Sequence, residues 1–192
     1  MHQSSLQYLR CIKCNNDLKL EAFEHDDEIL EGMLTCTRCG NMYPIISSIP
    51  FLVDDLSLYF SIRAKLGGYL LLHTKNLQIK SIIKQALQKI SHVGNDTTDL
   101  EKNWSITYKQ SKKSQFHLAL QNAITRLPKC NLVIEHGCSI GTTTMALAKK
   151  SNTVFGIDKS FFALLEAKKR KIKDADFFLA DSLSRPFREN KI

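Results

Sequence analysis

The spacing of apolar residues changes twice along the 192-residue chain, and each change marks a different kind of structure. Over residues 6–53 the apolar runs are short, as in Thr35-Cys36 and Tyr43-Pro44-Ile45-Ile46, with Gly32 and Gly40 as turn markers. That pattern predicts a small β-rich unit. The acidic stretch Glu24-His25-Asp26-Asp27-Glu28 suits a solvated loop or hairpin tip. Between 54 and 128 the period lengthens to that of helices. Leu77, Ile79, Ile82, Ile83, Ala86, Leu87 and Ile90 form one helical face. Phe116, Ala119, Leu120, Ala123, Ile124 and Leu127 form a second, which Pro128 ends. Ser91 to Asp99, with its Gly, Asn, Asp and Thr, reads as a loop or linker.

From Asn131 strands and helices alternate. Leu132-Val133-Ile134 predicts a strand, Thr142 to Lys150 a helix, and Val154-Phe155-Gly156-Ile157 the next strand. Phe161 to Lys171 predicts a second helix, ending in the basic run Lys168-Lys169-Arg170-Lys171 that complements a helix C-terminus, and Phe177-Phe178-Leu179 a third strand. Such alternation implies a parallel sheet with helices on its faces. The expected fold class is therefore α/β, with boundaries at 1–53 for the β-rich unit, 54–99 for the helical segment and linker, and 100–192 for an incomplete parallel-sheet domain.

An apolar fraction of 43% is ordinary for a chain with a packed core. No apolar run approaches the ~20 residues of a membrane span. The first residues lack the basic start and apolar run of a signal peptide, so the expected location is the cytoplasm. The net charge of +8 is uneven. Residues 1–50 hold 4 Lys/Arg against 7 Asp/Glu, residues 51–130 hold 12 against 5, and residues 131–192 hold 11 against 7. A basic middle is a weak pointer to a polyanionic partner, and lysines on solvated helix faces are the favoured explanation.

The six cysteines narrow the chemistry. Cys11-Ile12-Lys13-Cys14 and Cys36-Thr37-Arg38-Cys39-Gly40 are two C-x-x-C pairs. Two thiolates of one tight turn can face one ion, and two such turns supply the four tetrahedral ligands of a closed structural zinc site. Redox activity is the competing reading, but neither pair sits at a strand-to-helix junction. Four cysteines also leave no open position for a catalytic water. With the following Tyr43-Pro44-Ile45-Ile46-Ser47-Ser48-Ile49-Pro50-Phe51-Leu52, the segment resembles the small zinc-ribbon proteins that activate methyltransferases acting on tRNA and translation factors. That resemblance implies a protein partner engaged through the ribbon.

A second motif is Val133-Ile134-Glu135-His136-Gly137-Cys138-Ser139-Ile140-Gly141-Thr142. A strand ends, the chain bends through two glycines, and a helix begins; absent side chains let a ligand touch the backbone, and amides at the helix start can bind polar groups. Asp158 stands at the end of the second strand and Asp181-Ser182 at the end of the third. Glu135, Asp158 and Asp181 thus outline one nucleoside-sized cleft at the carboxyl edge of the sheet. A nicotinamide dinucleotide site needs G-x-G-x-x-G, but the positions counted from Gly137 hold Ser139 and Thr142.

The motif resembles the cofactor loop of class I S-adenosylmethionine-dependent methyltransferases, over roughly residues 100–192. The resemblance implies a Rossmann-like sheet. It also implies that Glu135 orders water at the methionine amino group, that Gly137, Cys138 and Gly141 line the methionine part, that Asp158 takes the ribose, and that Asp181 with Ser182 takes the adenine. This chain departs from the family pattern at Ser139, where a glycine is frequent, and at Ile192, beyond which the family fold continues for four strands. The acceptor side and the usual catalytic residues fall in that further half, so the catalytic residues are unknown and this chain by itself is expected to bind the cofactor weakly without turnover.

Taken singly, Asp158 reads as a helix N-terminal acid and Asp181 as a turn residue; their joint placement after the glycine loop favours the cofactor reading. His136 is expected to face the sheet or solvent, and Cys138 to pack as a small apolar group. Trp104 and Tyr108 are expected in the core, with covering the cofactor as the alternative. RNA or the translation machinery is the expected acceptor class. A small-molecule acceptor stands as the alternative, as does a non-catalytic zinc-ribbon partner or remnant. In the last case the sheet would expose an apolar edge beside its first strand, open to pairing.

Overall fold

The structure, a computed structural model, describes residues 1–91, 94–110, 115–181 and 183–191, with the side chains of Phe116 and Asn190 left out. The chain divides into two compact units, Met1–Leu100 joined by the segment from Leu183, and a second from Glu101. Among the described residues no helix is long and apolar enough to cross a membrane.

The first unit opens with a 3-10 turn over Gln3–Tyr8, followed by an antiparallel meander of β1 (Leu18–His25), β2 (Ile29–Cys36), β3 (Met42–Ile46) and β4 (Ile49–Leu52). The acidic stretch forms the β1–β2 tip, where Asp26–Glu28 bend between strands paired at His25↔Ile29. Gly32, expected at a turn, lies inside β2 opposite Ala22, beside a bulge. A Cβ there would stand 2.8 Å from the Glu21 carbonyl oxygen, so a glycine is needed for close strand approach rather than for a bend.

Three helices follow: α1 (Leu56–Ser61), α2 (Ala64–His73) and α3 (Leu77–Gln88). The Asp55 carboxylate caps α1 by accepting from the amides of Ser57 and Leu58, and the Asn76 side chain caps α3 at Gln78 and Ile79. The buried Glu31 carboxylate of β2 accepts from the amides of Lys75 and Asn76, both at 2.8 Å, so it fixes where α3 starts. Of the apolar face read on α3, Ile79, Ile83 and Ala86 are buried, whereas Leu77 is exposed. The segment from Leu183 pairs back on this unit, with a bridge between Leu9 and Phe187 and a bond from the Arg188 guanidinium to Asp17 at 2.6 Å.

The second unit contains α4 (Thr98–Gln110, most of it), α5 (Gln115–Thr125), β5 (Cys130–His136), α6 (Thr144–Leu147), β6 (Ser151–Asp158), α7 (Phe161–Lys169) and β7 (Ala175–Ala180). The strands β5, β6 and β7 are parallel with β6 central, registered by Ile134↔Phe155 and Gly156↔Phe177. The fold is thus mixed α/β, with a parallel sheet and helices, as the sequence predicts. Every residue of β7 is buried, as is the middle of β6, which is why both read as continuous apolar runs. β5 is an edge strand, and its apolar side chains Leu132, Val133 and Ile134 are only part-buried.

Two helices differ from expectation. The helix read over Thr142–Lys150 forms only over Thr144–Leu147, because Gly141 at φ +74° opens the segment and three consecutive threonines resist a first helical turn. On α5 only Ile124 of the apolar face is buried; Ala119, Ala123 and Leu127 are exposed, and the side chain of Phe116 lies outside the described residues.

Candidate metal centre and ligand cradle

Cys11, Cys14, Cys36 and Cys39 converge, with all four sulfurs within 4.8 Å of one another. The Sγ–Sγ distance is 3.6 Å between Cys11 and Cys39 and 3.4 Å between Cys14 and Cys36. Four sulfurs placed tetrahedrally at ~2.3 Å from zinc lie about 3.8 Å apart, so the donor set fits a closed site of that kind.

The two turns are built alike. In the first, the Cys11 amide donates to the Asn16 carbonyl and the Asn15 amide to the Cys11 carbonyl, both at 2.8 Å. In the second, the Cys36 amide donates to Asn41 at 2.8 Å and the Gly40 amide to Cys36 at 3.1 Å. Gly40 sits at φ +70° and Asn15, its counterpart, at φ +61°. Asparagine is among the few residues that enter this region at modest cost, which is how the first turn forms without a glycine. Sequence reading missed Asn15, and its signal was its place directly after a C-x-x-C pair.

Tyr43 was also missed as a functional residue. Its buried hydroxyl lies 3.2 Å from Cys11 Sγ, and that burial followed by the neighbouring thiol pushes the phenol above its ordinary range. Burial works to raise the Cys36 thiol, but the amides of Cys39 and Arg38 outweigh it and bring the group down to about 6. That lowering favours the thiolate, the form that binds metal.

In the second unit, Glu135, Asp158 and Asp181 stand at the carboxyl ends of three neighbouring parallel strands, the same edge of one sheet. Between the first two runs a loop in which Gly137, Ser139 and Gly141 all have positive φ, at +71°, +48° and +74°. A side chain at Gly137 would meet nothing within 4 Å, so this bend leaves open space against bare backbone. Gly141 faces the other way, where a Cβ would press on Ala167 of α7 at 3.1 Å. The amides of Gly137 and Cys138 both donate to the Ile157 carbonyl, tying the bend to β6.

Asp158 organises this loop directly. One carboxylate oxygen accepts from the Ser139 amide at 2.9 Å and the other from the Ser160 amide at 2.8 Å. Glu135 accepts a bond from the Thr144 hydroxyl at 2.5 Å. Burial pushes the Glu135 carboxyl up to about 7; the threonine bond opposes that, and the nearby Asp158 charge adds to it. Asp181 pairs with Lys159, Nζ to Oδ2 at 2.6 Å, across the ends of β6 and β7. Lys159 is a third residue that sequence reading missed, signalled only by its position after a strand-end acid. Ser182 lies outside the described residues.

The remaining candidates resolve simply. Cys138 is buried with its sulfur against Gly156, where an added Cβ would lie 2.9 Å away, and burial drives its thiol far above the ordinary range. A thiol held this way is no nucleophile, so Cys138 packs as the sequence predicts. His136 is solvent-exposed at the end of β5. Trp104 and Tyr108 are not in the core: they are 58% and 42% exposed, stacked on each other with ring centroids 5.6 Å apart.

No protein-family model and no curated protein matches the chain. Solved structures that do match are similar over part of their length. An rRNA methylase from Streptococcus thermophilus is 22% identical over 36% of this chain and 41% of its own, with a TM-score of 0.30. Phosphoethanolamine N-methyltransferase 1 from Haemonchus contortus is 17% identical over 44% of this chain and 22% of its own, with a TM-score of 0.32. The magnesium protoporphyrin IX methyltransferase of Synechocystis PCC 6803, solved with bound S-adenosylmethionine, is 18% identical over 67% of this chain and 55% of its own, with a TM-score of 0.26. This chain therefore spans about half or less of the proteins it is similar to.

Proposed function

We propose that this chain is part of an S-adenosylmethionine-dependent methyltransferase whose first unit carries a structural zinc ion. The observation that carries the reading is the shared edge: two acids flank an open glycine bend, and a third closes the row on the next strand. A dinucleotide needs amides gathered at a long helix start for its pyrophosphate. Here α6 is a single turn, which suits a ligand with no phosphate.

The residues divide the ligand's work among them. Glu135, a part-buried carboxylate beside an open bend, is suited to an ammonium group, and a cation there would draw it into the ionised form. Asp158 is fixed by two backbone amides, which leaves its remaining lone pairs directed for ribose hydroxyls. Asp181, held by Lys159, lies at the third strand end, where it would meet the adenine. Gly137 gives the backbone approach that a side chain would block, and Gly141 lets the loop pack closely on α7. The cofactor supplies an activated methyl group; the protein's share is to hold and align it.

Cys11, Cys14, Cys36 and Cys39 would hold zinc, with no position left for water, so the ion's role is to fold the unit. RNA or the translation machinery is our proposed acceptor class, supported by the basic charge from residue 51 onward. Titration calorimetry with S-adenosylmethionine tests the cofactor assignment. Heat of binding is expected from the native chain, with at least a tenfold loss in Asp158→Ala; absence of heat at millimolar ligand removes the assignment.

A further inference from the structure

The end of the parallel sheet opposite Glu135, Asp158 and Asp181 carries a concave surface of its own. A cavity of about 830 Å³ lies where the strands begin, between the end of α5 and the segments that lead into β6 and β7. Its floor is apolar, with Ile124, Met145 and Ile172, and its rim carries Lys149, Lys150, Arg170, Lys171 and Lys173 against one acid, Asp174. The groove backs onto the glycine loop, since Arg170 donates to the Ile140 carbonyl and Ile172 lies against Gly141, but its lining includes none of Glu135, Gly137, Asp158 and Asp181.

The ordinary explanation for such cations is that they complement helix C-termini. It covers Arg170, which caps the C-terminus of α7 and whose guanidinium is also taken up by the Ile140 carbonyl of the glycine loop. It also covers Lys150 in part, which donates to the Thr125 carbonyl at 2.6 Å beyond α5. It does not cover Lys149, Lys171 and Lys173. The macrodipole effect fades within the last turn. Lys171 and Lys173 lie beyond α7, Lys149 follows a helix of one turn, and none of the three is in an ion pair among the described residues. Three unneutralised ammonium groups around one hollow repel one another unless an anion joins them.

A second observation says what kind of anion. α4 runs along α7, with Lys102 Nζ 5.9 Å from the Phe162 ring centre and Lys109 bonded to Glu166 at 2.9 Å. Between those anchors it displays the exposed Trp104–Tyr108 stack, and its Lys109 end meets α7 at Glu166, one helical turn before Arg170 of the groove rim. Stacked aromatics offered to solvent beside a basic track are what unpaired nucleobases bind. We propose that this groove and stack bind single-stranded nucleic acid, with phosphates on Lys149, Lys171 and Lys173 and a base on Trp104. The site stands apart from the cofactor reading and survives or fails without it.

Fluorescence anisotropy of a labelled twelve-residue oligouridylate, titrated with the full chain at several KCl concentrations, tests the proposal. Three phosphate contacts on a single strand give a log–log salt slope of about −2, which corresponds to roughly 100-fold in affinity between 1 M and 0.1 M salt. Lys149→Gln/Lys171→Gln/Lys173→Gln should therefore bind about 100-fold more weakly at 0.1 M KCl and flatten the slope. Trp104→Ala should weaken binding roughly 5- to 150-fold and leave the slope unchanged. Lys13→Gln/Lys19→Gln/Lys84→Gln, which removes equal charge from the first unit, should stay within threefold of native. The proposal is overturned by equal losses in the two triple variants, by native binding that is undetectable at 50 mM KCl, or by tripolyphosphate competing as well as oligouridylate. Calorimetry with S-adenosylmethionine on the groove variant reads the other site separately and should be unchanged.

Discussion

Replacing Glu135 by glutamine keeps the side chain's shape and its ability to accept the Thr144 hydroxyl bond, while removing the charge. The native carboxyl moves from an ordinary 4.5 to about 7 in the folded chain, chiefly through burial. A group raised on folding stabilises the fold fully only below its unfolded value and loses that contribution as pH rises through its folded one. The shift corresponds to at most roughly 3 kcal/mol, since one unit is about 1.4 kcal/mol and part of the group still touches water. Glu135→Gln should then match the native chain within about 1 kcal/mol at pH 5 and exceed it by about 2–3 kcal/mol above pH 8. Urea unfolding at both pH values measures this. The chain's single tryptophan, Trp104, belongs to the same unit and can report its loss. A stability difference that does not change with pH would refute the account of Glu135 as a carboxyl held against its charge. The same variant should bind S-adenosylmethionine more weakly at pH 8, so the gain in stability and the loss of ligand arise from one group.

Other perturbations test the rest of the structure. Chelation of the metal, or Cys36→Ser, should abolish the first unit's strand signal in circular dichroism, and metal analysis of the native protein should give one zinc per chain. Tyr43→Phe, which removes only the hydroxyl beside Cys11, should lower zinc affinity about 10- to 100-fold in competition with a chromophoric chelator, without unfolding the loaded protein. Gly156→Ala forces a methyl to within 2.8 Å of the Phe177 ring and 2.9 Å of Cys138 Sγ. It should destabilise the second unit by about 1–3 kcal/mol in urea. Ser139→Gly relieves a serine held at φ +48° and should add about 1 kcal/mol.

What could be read from the sequence were features set by local chemistry. The C-x-x-C pairs, the strand-end acids and the apolar runs of β6 and β7 follow from spacing alone, and each lies where the pattern puts it. What escaped depended on neighbours distant in the chain. Tyr43 matters because a thiol 32 positions earlier meets its hydroxyl, and Lys159 because Asp181 ends the adjacent strand. Gly32 misled because glycine serves both bends and close strand approach, and only the Glu21 carbonyl opposite it tells the two apart. α6 fell short because periodicity reports which faces are apolar and says nothing of a positive φ at the residue before. Trp104 and Tyr108, expected in the core, stand outside it on α4, whose other residues are mostly polar.

The strap from Leu183 onward has a consequence for the order of assembly during synthesis. Arg188 reaches Asp17 across 171 positions, and Arg10 reaches Glu189 across 179. The ribosome releases the cysteine turns and the antiparallel meander long before it makes these partners, so the metal can be captured while the later sheet is still unborn. The clasp closes only once residues 183–191 have emerged, so the first unit to begin folding is completed after the strands of the parallel sheet have been made.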